Sequence, residues 1–314
     1  MLRSVHNAVM SPARIWLLPL SFVACTLVVY SACTNGPADS DEWHQVIRAL
    51  EPVHQRLGEP KPGDWLATHK EPGQSYDEYR RTRPIRPIGK RNKIYIQPLG
   101  EMTAKQEEIL RRTAEYMEVY FDTPVTIRKP MLLTKIPEFA ERAGRGFGKQ
   151  LRTSWVMRDV LAHNLPPDAA AYLALTTRDL WTGGPDSNFV FGQANLRARV
   201  AVWSMARNGD PEKDYTLCLR RSVKTATHET GHMFSMRHCI KWECNMCGAM
   251  TREESDRHSL ALCPECVAKV SWACTAGPRA RLKELAALCG KFGFKDEQAF
   301  YLKSVDALDP DRFR

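Results

Sequence analysis

One short segment, with three histidines and a glutamate, constrains the fold more than any other part of the sequence. Residues 228–232 read His-Glu-Thr-Gly-His, and a third histidine, His238, follows six residues later. Residues four apart lie on one face of an α-helix, so His228 and His232 can bind one metal ion. His238 can reach the same ion only if the chain turns near Ser235. The segment therefore predicts a helix that ends beside a three-histidine zinc site with a fourth position open.

The glutamate between the first two histidines predicts hydrolytic chemistry. Glu229 is adjacent to His228, so its carboxylate can reach a zinc-bound water molecule. Neutral imidazoles leave the ion its full charge, which lowers the pKa of that water from about 15.7 towards 7. Glu229 would accept the proton as general base and deliver it to the leaving amine. One alternative stays open, in which Glu253 or Glu254 replaces His238 as third ligand.

A group of cysteines directly after the third histidine predicts a second metal site. Its members are Cys239, Cys244, Cys247, Cys263 and Cys266. The Cys263–Cys266 pair can fill two corners of a zinc tetrahedron. Spacing alone favours Cys244 with Cys247 as the second pair, and Cys239 with Cys244 is the other possibility. Disulfides are the alternative in an exported protein. We favour a closed structural zinc site, because two close pairs fit one ion better than two strained bridges.

The N-terminus predicts export from the cytoplasm. Residues 15–32 form one apolar run that is preceded by Arg3 and Arg14 and followed by Cys33. This pattern resembles a bacterial lipoprotein signal, which implies lipidation of Cys33 and a membrane-tethered protein in the periplasm or on the cell surface. An uncleaved anchor and a secreted soluble form are the alternatives.

The rest of the sequence predicts one folded domain. From Ile94 onwards, strand-like apolar runs alternate with helical stripes, which is typical of a mixed α/β sheet. Residues 33–93 are rich in proline, glycine and charge, and we interpret them as a stalk and a basic, Pro-rich linker. The predicted organisation is therefore a signal peptide or anchor over 1–32, this stalk and linker, and a folded domain over 94–314.

Composition and charge exclude several classes of protein. With 43% hydrophobic and 26% charged residues, the chain is neither disordered nor a polytopic membrane protein. Its net charge of +9 owes much to a run of arginines and lysines over 80–93, which prolines interrupt. Such a run cannot form a recognition helix. No nucleic-acid-binding motif accompanies the charge, so we predict no nucleic-acid partner.

The combined motif resembles that of the archaemetzincins, a family of zinc peptidases. The stretch HETGHMFSMRHCIKWECNM, a sixteen-residue spacer and CPEC follow the family pattern, as do IYIQPLG and the segment NFVFGQANLRARVAVWSMAR. The resemblance implies a single metzincin-like α/β domain that hydrolyses peptide bonds. Two departures are Ser235, where the family usually has glycine, and a spacer one residue shorter.

The resemblance also implies roles for individual residues. His228, His232 and His238 would bind a catalytic zinc ion, with Glu229 as general base. Met246 would lie beneath that metal, and an extended peptide substrate would pair with an edge strand around 189–191. A second, structural zinc ion would be bound by four cysteines, namely Cys239, Cys244, Cys263 and Cys266.

Two functional hypotheses result from these residues. The first is a zinc metallopeptidase with a peptide or protein substrate and two zinc ions per chain. The second is a catalytically idle lipoprotein of the same fold, which binds peptides or metal. The intact Glu229 favours the first, because a binding module has no use for a base beside the metal.

Overall fold

A computed structural model describes residues 37–144, 146–184 and 187–309. The predicted signal peptide or anchor and Cys33 lie outside the described residues. In the described part, no helix is both long and apolar enough to cross a membrane.

Ten α-helices and eight strands, with four short 3₁₀ or π segments between them, make up the regular structure of the described residues. The helices are α1 (Pro37–Leu50), α2 (Trp65–Thr68), α3 (Tyr76–Arg81), α4 (Ala104–Phe121), α5 (Thr153–Trp155), α6 (Tyr215–Met233), α7 (Arg252–Arg257), α8 (Pro264–Cys274), α9 (Pro278–Phe292) and α10 (Lys295–Ala307). The strands are β1 (Lys93–Leu99), β2 (Val125–Ile127), β3 (Glu141–Ala143), β4 (Lys149–Arg152), β5 (Ala169–Thr176), β6 (Asp179–Trp181), β7 (Gly192–Asn195) and β8 (Val200–Ser204).

A five-stranded mixed sheet positions the rest of the domain. Its order is β2-β1-β5-β8-β7, in which β7 alone runs antiparallel to its neighbour. Every residue of β5 is buried, as expected for a central parallel strand covered on both faces. A smaller sheet has the order β3-β4-β6. The predicted fold class, a mixed α/β domain with an active-site helix and a cysteine-rich segment, is confirmed.

The two long helices α4 and α6 pack against each other beside this sheet. Helix α4 begins at a capping box in which Thr103 and Gln106 satisfy each other's backbone N–H groups. Helix α6 begins at Asp214, whose carboxylate accepts a hydrogen bond from the backbone N–H of Leu217. It ends at Met233, so its last two turns carry the His-Glu-x-x-His segment.

The segment interpreted as a stalk and linker is folded onto the domain. The compact unit begins at Pro37 rather than at Ile94. Helices α1 and α3 both contact α8, and the hydroxyl of Tyr79 donates a 2.8 Å hydrogen bond to the carbonyl of Phe234. The amphipathic stretch over 42–51 predicts the helix α1, but the prolines and charges that follow it are typical of a linker and did not indicate its packing on the domain.

The edge strand lies slightly later in the chain than expected. Val190 forms only an isolated bridge to Leu180, and the regular pairing with β8 begins at Gly192. Phe189 and Phe191 lie instead under arginine side chains, with guanidinium-to-ring distances of 3.6 and 3.7 Å. The strand at the sheet edge is therefore β7.

Candidate active site

Three imidazoles converge at the end of α6. His228 and His232 project from the helix, and His238 reaches the same point from the segment that follows it. One nitrogen from each ring lies within 4.8 Å of the others. The turn between them includes Ser235, which has a left-handed φ of 69°. Its hydroxyl accepts a 3.2 Å hydrogen bond from the backbone N–H of Ile85, a contact that glycine could not make.

Hydrogen bonds fix the protonation of the two helical histidines. Nδ1 of His228 lies 2.7 Å from the carbonyl oxygen of Asn245, and Nδ1 of His232 lies 2.7 Å from that of Met236. A carbonyl oxygen only accepts, so each Nδ1 carries the proton and each Nε2 presents a lone pair. Burial, together with neighbouring imidazoles, lowers the pKa of His228 well below its ordinary value and that of His232 to about 4. Both rings are therefore neutral, as metal ligands must be.

The distance between these two lone pairs suits a shared cation. The Nε2 atoms of His228 and His232 are 3.0 Å apart. Neither carries a hydrogen, so they do not bond to each other. Two nitrogens on a tetrahedral zinc ion lie about 3.3 Å apart, given its usual bond lengths. The donor set and its geometry therefore fit zinc.

The third histidine is oriented by a residue that the sequence analysis missed. Nδ1 of His238 lies 2.9 Å from both carboxylate oxygens of Glu71. Burial opposes ionisation of Glu71, but the hydrogen bond from His238 helps to keep the pKa of Glu71 below its usual value. The ring of Trp65 packs edge-on against His238 at 5.2 Å. Glu71 precedes His238 by 167 residues, and no local pattern could have linked them.

Replacement of this carboxylate is expected to weaken metal binding at the histidines. Glu71→Ala removes the acceptor that fixes the tautomer of His238, and loss of such a partner costs about 10- to 100-fold in metal affinity. Competition with a chromogenic chelator measures the change. Glu59→Ala is the matched control, because Glu59 is exposed in the same segment. Equal affinities of the two variants would show that Glu71 does not orient His238.

Glu229 is buried beside the histidines, against the edge strand. A Cβ atom added at Gly192 of β7 would lie 2.6 Å from its Oε1 atom, so the carboxylate lies directly against this backbone. Burial raises the pKa of Glu229 to about 8. A cation at the adjacent His228 would oppose that shift, because it favours the ionised form.

Because the Glu229 carboxylate lies directly against Gly192, a methyl group added at Gly192 should lower activity. Gly192→Ala is expected to displace the Glu229 carboxylate and to lower peptide turnover by about 10²-fold, the cost of a misplacement near 1 Å. Zinc content should not change, because no ligand is displaced. Gly58→Ala is the control, since a Cβ atom there would meet nothing within 4 Å. Steady-state kinetics with metal analysis measures both quantities. Unchanged turnover in Gly192→Ala would contradict the packing of Glu229.

Met246, which the family resemblance places beneath the metal, packs against α6 at Gly231. It is 1% exposed. A Cβ atom added at Gly231 would lie 2.6 Å from its sulfur, so the glycine between Glu229 and His232 makes room for this thioether. The sequence analysis gave Gly231 no role.

Four cysteines form a second cluster. The sulfur atoms of Cys239, Cys244, Cys263 and Cys266 lie within 4.8 Å of one another. All four are free, which gives no support to the disulfide alternative. Backbone N–H groups of Met246 and Cys263 approach the sulfur of Cys244 at 3.4 and 3.2 Å. Four sulfurs that converge from two close pairs fit a closed zinc site.

Three alternative ligands lie outside these groups. The thiol of Cys247 donates to the carbonyl of Trp242 at 3.3 Å, and the four-sulfur group does not include it. The two carboxylate oxygens of Glu254 accept hydrogen bonds from the backbone N–H groups of Trp65 and Met250. Neither Glu254 nor the exposed Glu253 joins the three histidines.

A cleft of about 510 Å³ lies over the three histidines. Its walls come from the N-terminal segment, from the edge strand with the loop before it, and from α6 with the chain that follows. Strand β7 contributes 192–194, and α6 contributes Lys224, Thr225 and Glu229 in addition to His228 and His232. His258 also lines the cleft and is 9% exposed.

Comparison with known proteins identifies the family of the chain. The model of Peptidase family M54 matches residues 167–271. Archaemetzincin-2 of Homo sapiens is 31% identical over 281 residues, which cover 75% of each chain. Archaemetzincin of Methanopyrus kandleri is 35% identical over 160 residues, which are 50% of this chain and 83% of that protein. Its crystal structure superposes with a TM-score of 0.49 at 32% identity and covers 60% of this chain and 98% of that one. The chain belongs to the archaemetzincin family of metallopeptidases.

Proposed function

We propose that the protein is a zinc-dependent peptidase that hydrolyses peptide bonds at the three-histidine site, with Glu229 as general base. The observation that carries the proposal is the set of Nδ1 hydrogen bonds. They direct three unprotonated nitrogens to one point, beside a buried carboxylate. A structural histidine cluster would need no such arrangement.

Zinc and Glu229 would have different roles in peptide hydrolysis. When bound, zinc supplies a Lewis acid that polarises a carbonyl group and acidifies water. Glu229 is placed to accept the proton of the attacking water and to pass it to the leaving amine. Its burial excludes bulk water from this transfer.

Substrate binding follows from the position of β7. This strand pairs with β8 on one side and lines the cleft with residues 192–194. An extended peptide can pair with its main chain, as peptides do at exposed sheet edges. Such pairing holds the scissile bond near the three histidines, whatever side chains the peptide carries.

We further propose two zinc ions per chain, the second one structural and bound by Cys239, Cys244, Cys263 and Cys266. Elemental analysis of the full-length protein, purified without chelator, is expected to give two zinc ions per chain. His232→Ala is expected to leave one. A wild-type value below two, with the protein folded, would contradict the two-site proposal.

We also propose that the protein is exported and tethered to a membrane through a lipid on Cys33. The support is the apolar run over 15–32, preceded by arginines and followed directly by this cysteine. Metabolic labelling with radioactive palmitate should mark the wild type and not Cys33→Ala. Equal labelling of both, or none in the wild type, would contradict lipidation at this residue.

Incubation of the protein with a peptide mixture distinguishes a peptidase from an idle binding module. New peptide termini that require both zinc and Glu229 support a peptidase. A protein that holds zinc at the histidines and binds peptides without cleavage would be the binding module.

A further inference from the structure

One buried charge in the cleft has no part in the mechanism proposed above. Lys224 lies four residues before His228 on α6, on the same helical face. Its side chain lines the cleft, and the residue is 6% exposed. A buried lysine is uncommon unless a partner compensates its charge, because an unpaired ammonium is costly to remove from water.

The partners of Lys224 are carbonyl groups rather than carboxylates. Its Nζ atom donates to the carbonyl oxygens of Ser255 and His258. An ammonium group has three donors, and the described residues supply no acceptor for the third. Among the described residues, no carboxylate oxygen lies within 4.0 Å of this Nζ atom, the distance limit for an ion pair.

The neighbouring carboxylates are already engaged elsewhere. Asp256 pairs with Arg221, at 3.1 Å from its Nε atom. Both oxygens of Glu254 accept backbone hydrogen bonds, and Glu243 pairs with Nδ1 of His258 at 2.9 Å. A ligand that enters the cleft can therefore supply the direct carboxylate contact that the described residues do not give Lys224.

We propose that Lys224 lies at the bottom of a subsite in the cleft. This subsite binds the carboxylate side chain of an aspartate or glutamate next to the scissile bond of the substrate. The proposal rests on the proposed function, since it assigns the substrate class of the same cleft. Four residues of helix separate Lys224 from His228 by about 6 Å along the axis. An extended peptide advances about 3.3 Å per residue, so a residue beside the scissile bond can present its side chain to this lysine.

The surroundings strengthen such an ion pair. The cleft wall near α6 includes the aromatic ring of Phe191, and charges attract more strongly where water is excluded. Burial lowers the pKa of Lys224 to about 7, and a bound carboxylate would raise it again because it stabilises the ammonium form.

A purely structural role is the competing explanation. In that case Lys224 only ties α6 to the carbonyl groups of 255 and 258, and the wild type would show no preference for acidic peptides. A wild type without acidic preference would therefore overturn the subsite, and the Lys224 variants show whether an observed preference depends on this lysine.

The test is a peptide library that varies each position around the scissile bond between Asp and Asn and between Glu and Gln. At one position beside that bond, the wild type is expected to cleave acidic peptides with kcat/KM about 10- to 100-fold above their amide partners, the usual worth of a hydrogen bond to a charged group. In Lys224→Met this ratio should fall to about one. Lys224→Gln, which keeps donors for the two carbonyl groups, should do the same if the first variant does not fold. Lys213→Met, at an exposed lysine just before α6, should keep the wild-type ratio.

Calorimetric binding of the same peptide pairs to zinc-loaded Glu229→Gln separates this inference from the proposed function. Tighter binding of acidic peptides, lost in the double variant with Lys224→Gln, supports the subsite even if the wild type cleaves nothing. Cleavage without acidic preference would overturn the subsite and leave the peptidase intact. An acidic preference that survives both Lys224 variants would also overturn it.

Discussion

Glu229→Gln is expected to lower kcat for peptide hydrolysis by about 10²- to 10⁴-fold, the usual contribution of a general base. Glutamine keeps the size of the side chain against Gly192 but cannot accept a proton. The three histidines and their hydrogen bonds are untouched, so zinc content should not change. Steady-state kinetics at saturating peptide, with metal analysis of the same sample, measures both quantities.

The control for this variant is Glu284→Gln, at an exposed glutamate on α9. It should keep both activity and zinc. Equal kcat values for Glu229→Gln and the wild type would remove Glu229 from the mechanism. Loss of zinc in Glu229→Gln would show a structural defect instead of a missing base.

Cys263→Ala is expected to release one zinc ion and to destabilise the domain severely. Structural zinc sites contribute apparent binding free energies of about 10–16 kcal/mol, which is comparable with the whole stability of a typical domain, about 5–15 kcal/mol. Activity should disappear as well, because Cys239 in this cluster is adjacent to His238 in the other. Thermal unfolding and zinc analysis test the prediction.

Cys247→Ala separates the two possible cysteine sets. Cys247 is buried beside the cluster, but its thiol donates to the carbonyl of Trp242. This variant should therefore keep both zinc ions and lose little stability. If Cys247→Ala releases zinc while Cys239→Ala retains it, the ligand set that spacing alone favoured would be the right one.

The parts of the site that the sequence could predict are those encoded by short spacings. The positions of His228, Glu229 and His232 follow from the period of one helix, and His238 needs only one turn after it. The strand that begins at Lys93 and the long helix that follows were similarly readable, because apolar periodicity and a capping threonine mark them.

The parts that the sequence could not predict depend on contacts between distant segments. Glu71 reaches His238 from a segment whose prolines and charges resemble a linker. Spacing alone favoured Cys247, but the four-sulfur cluster contains Cys239 instead, because the ligand set depends on how the chain turns after His238. The family resemblance implied an edge strand around 189–191, yet the rings of Phe189 and Phe191 pack under arginine side chains and the strand begins at Gly192.

The most direct test of the central claim is mass spectrometry of a peptide mixture incubated with the full-length protein in mild detergent. The protein is used with zinc bound, after removal of the metal by a chelator, and after zinc is restored. We predict new peptide termini with the zinc-bound protein, none after metal removal, and the same termini when zinc is returned. A folded protein that carries zinc at its three histidines and cleaves no peptide would contradict the account.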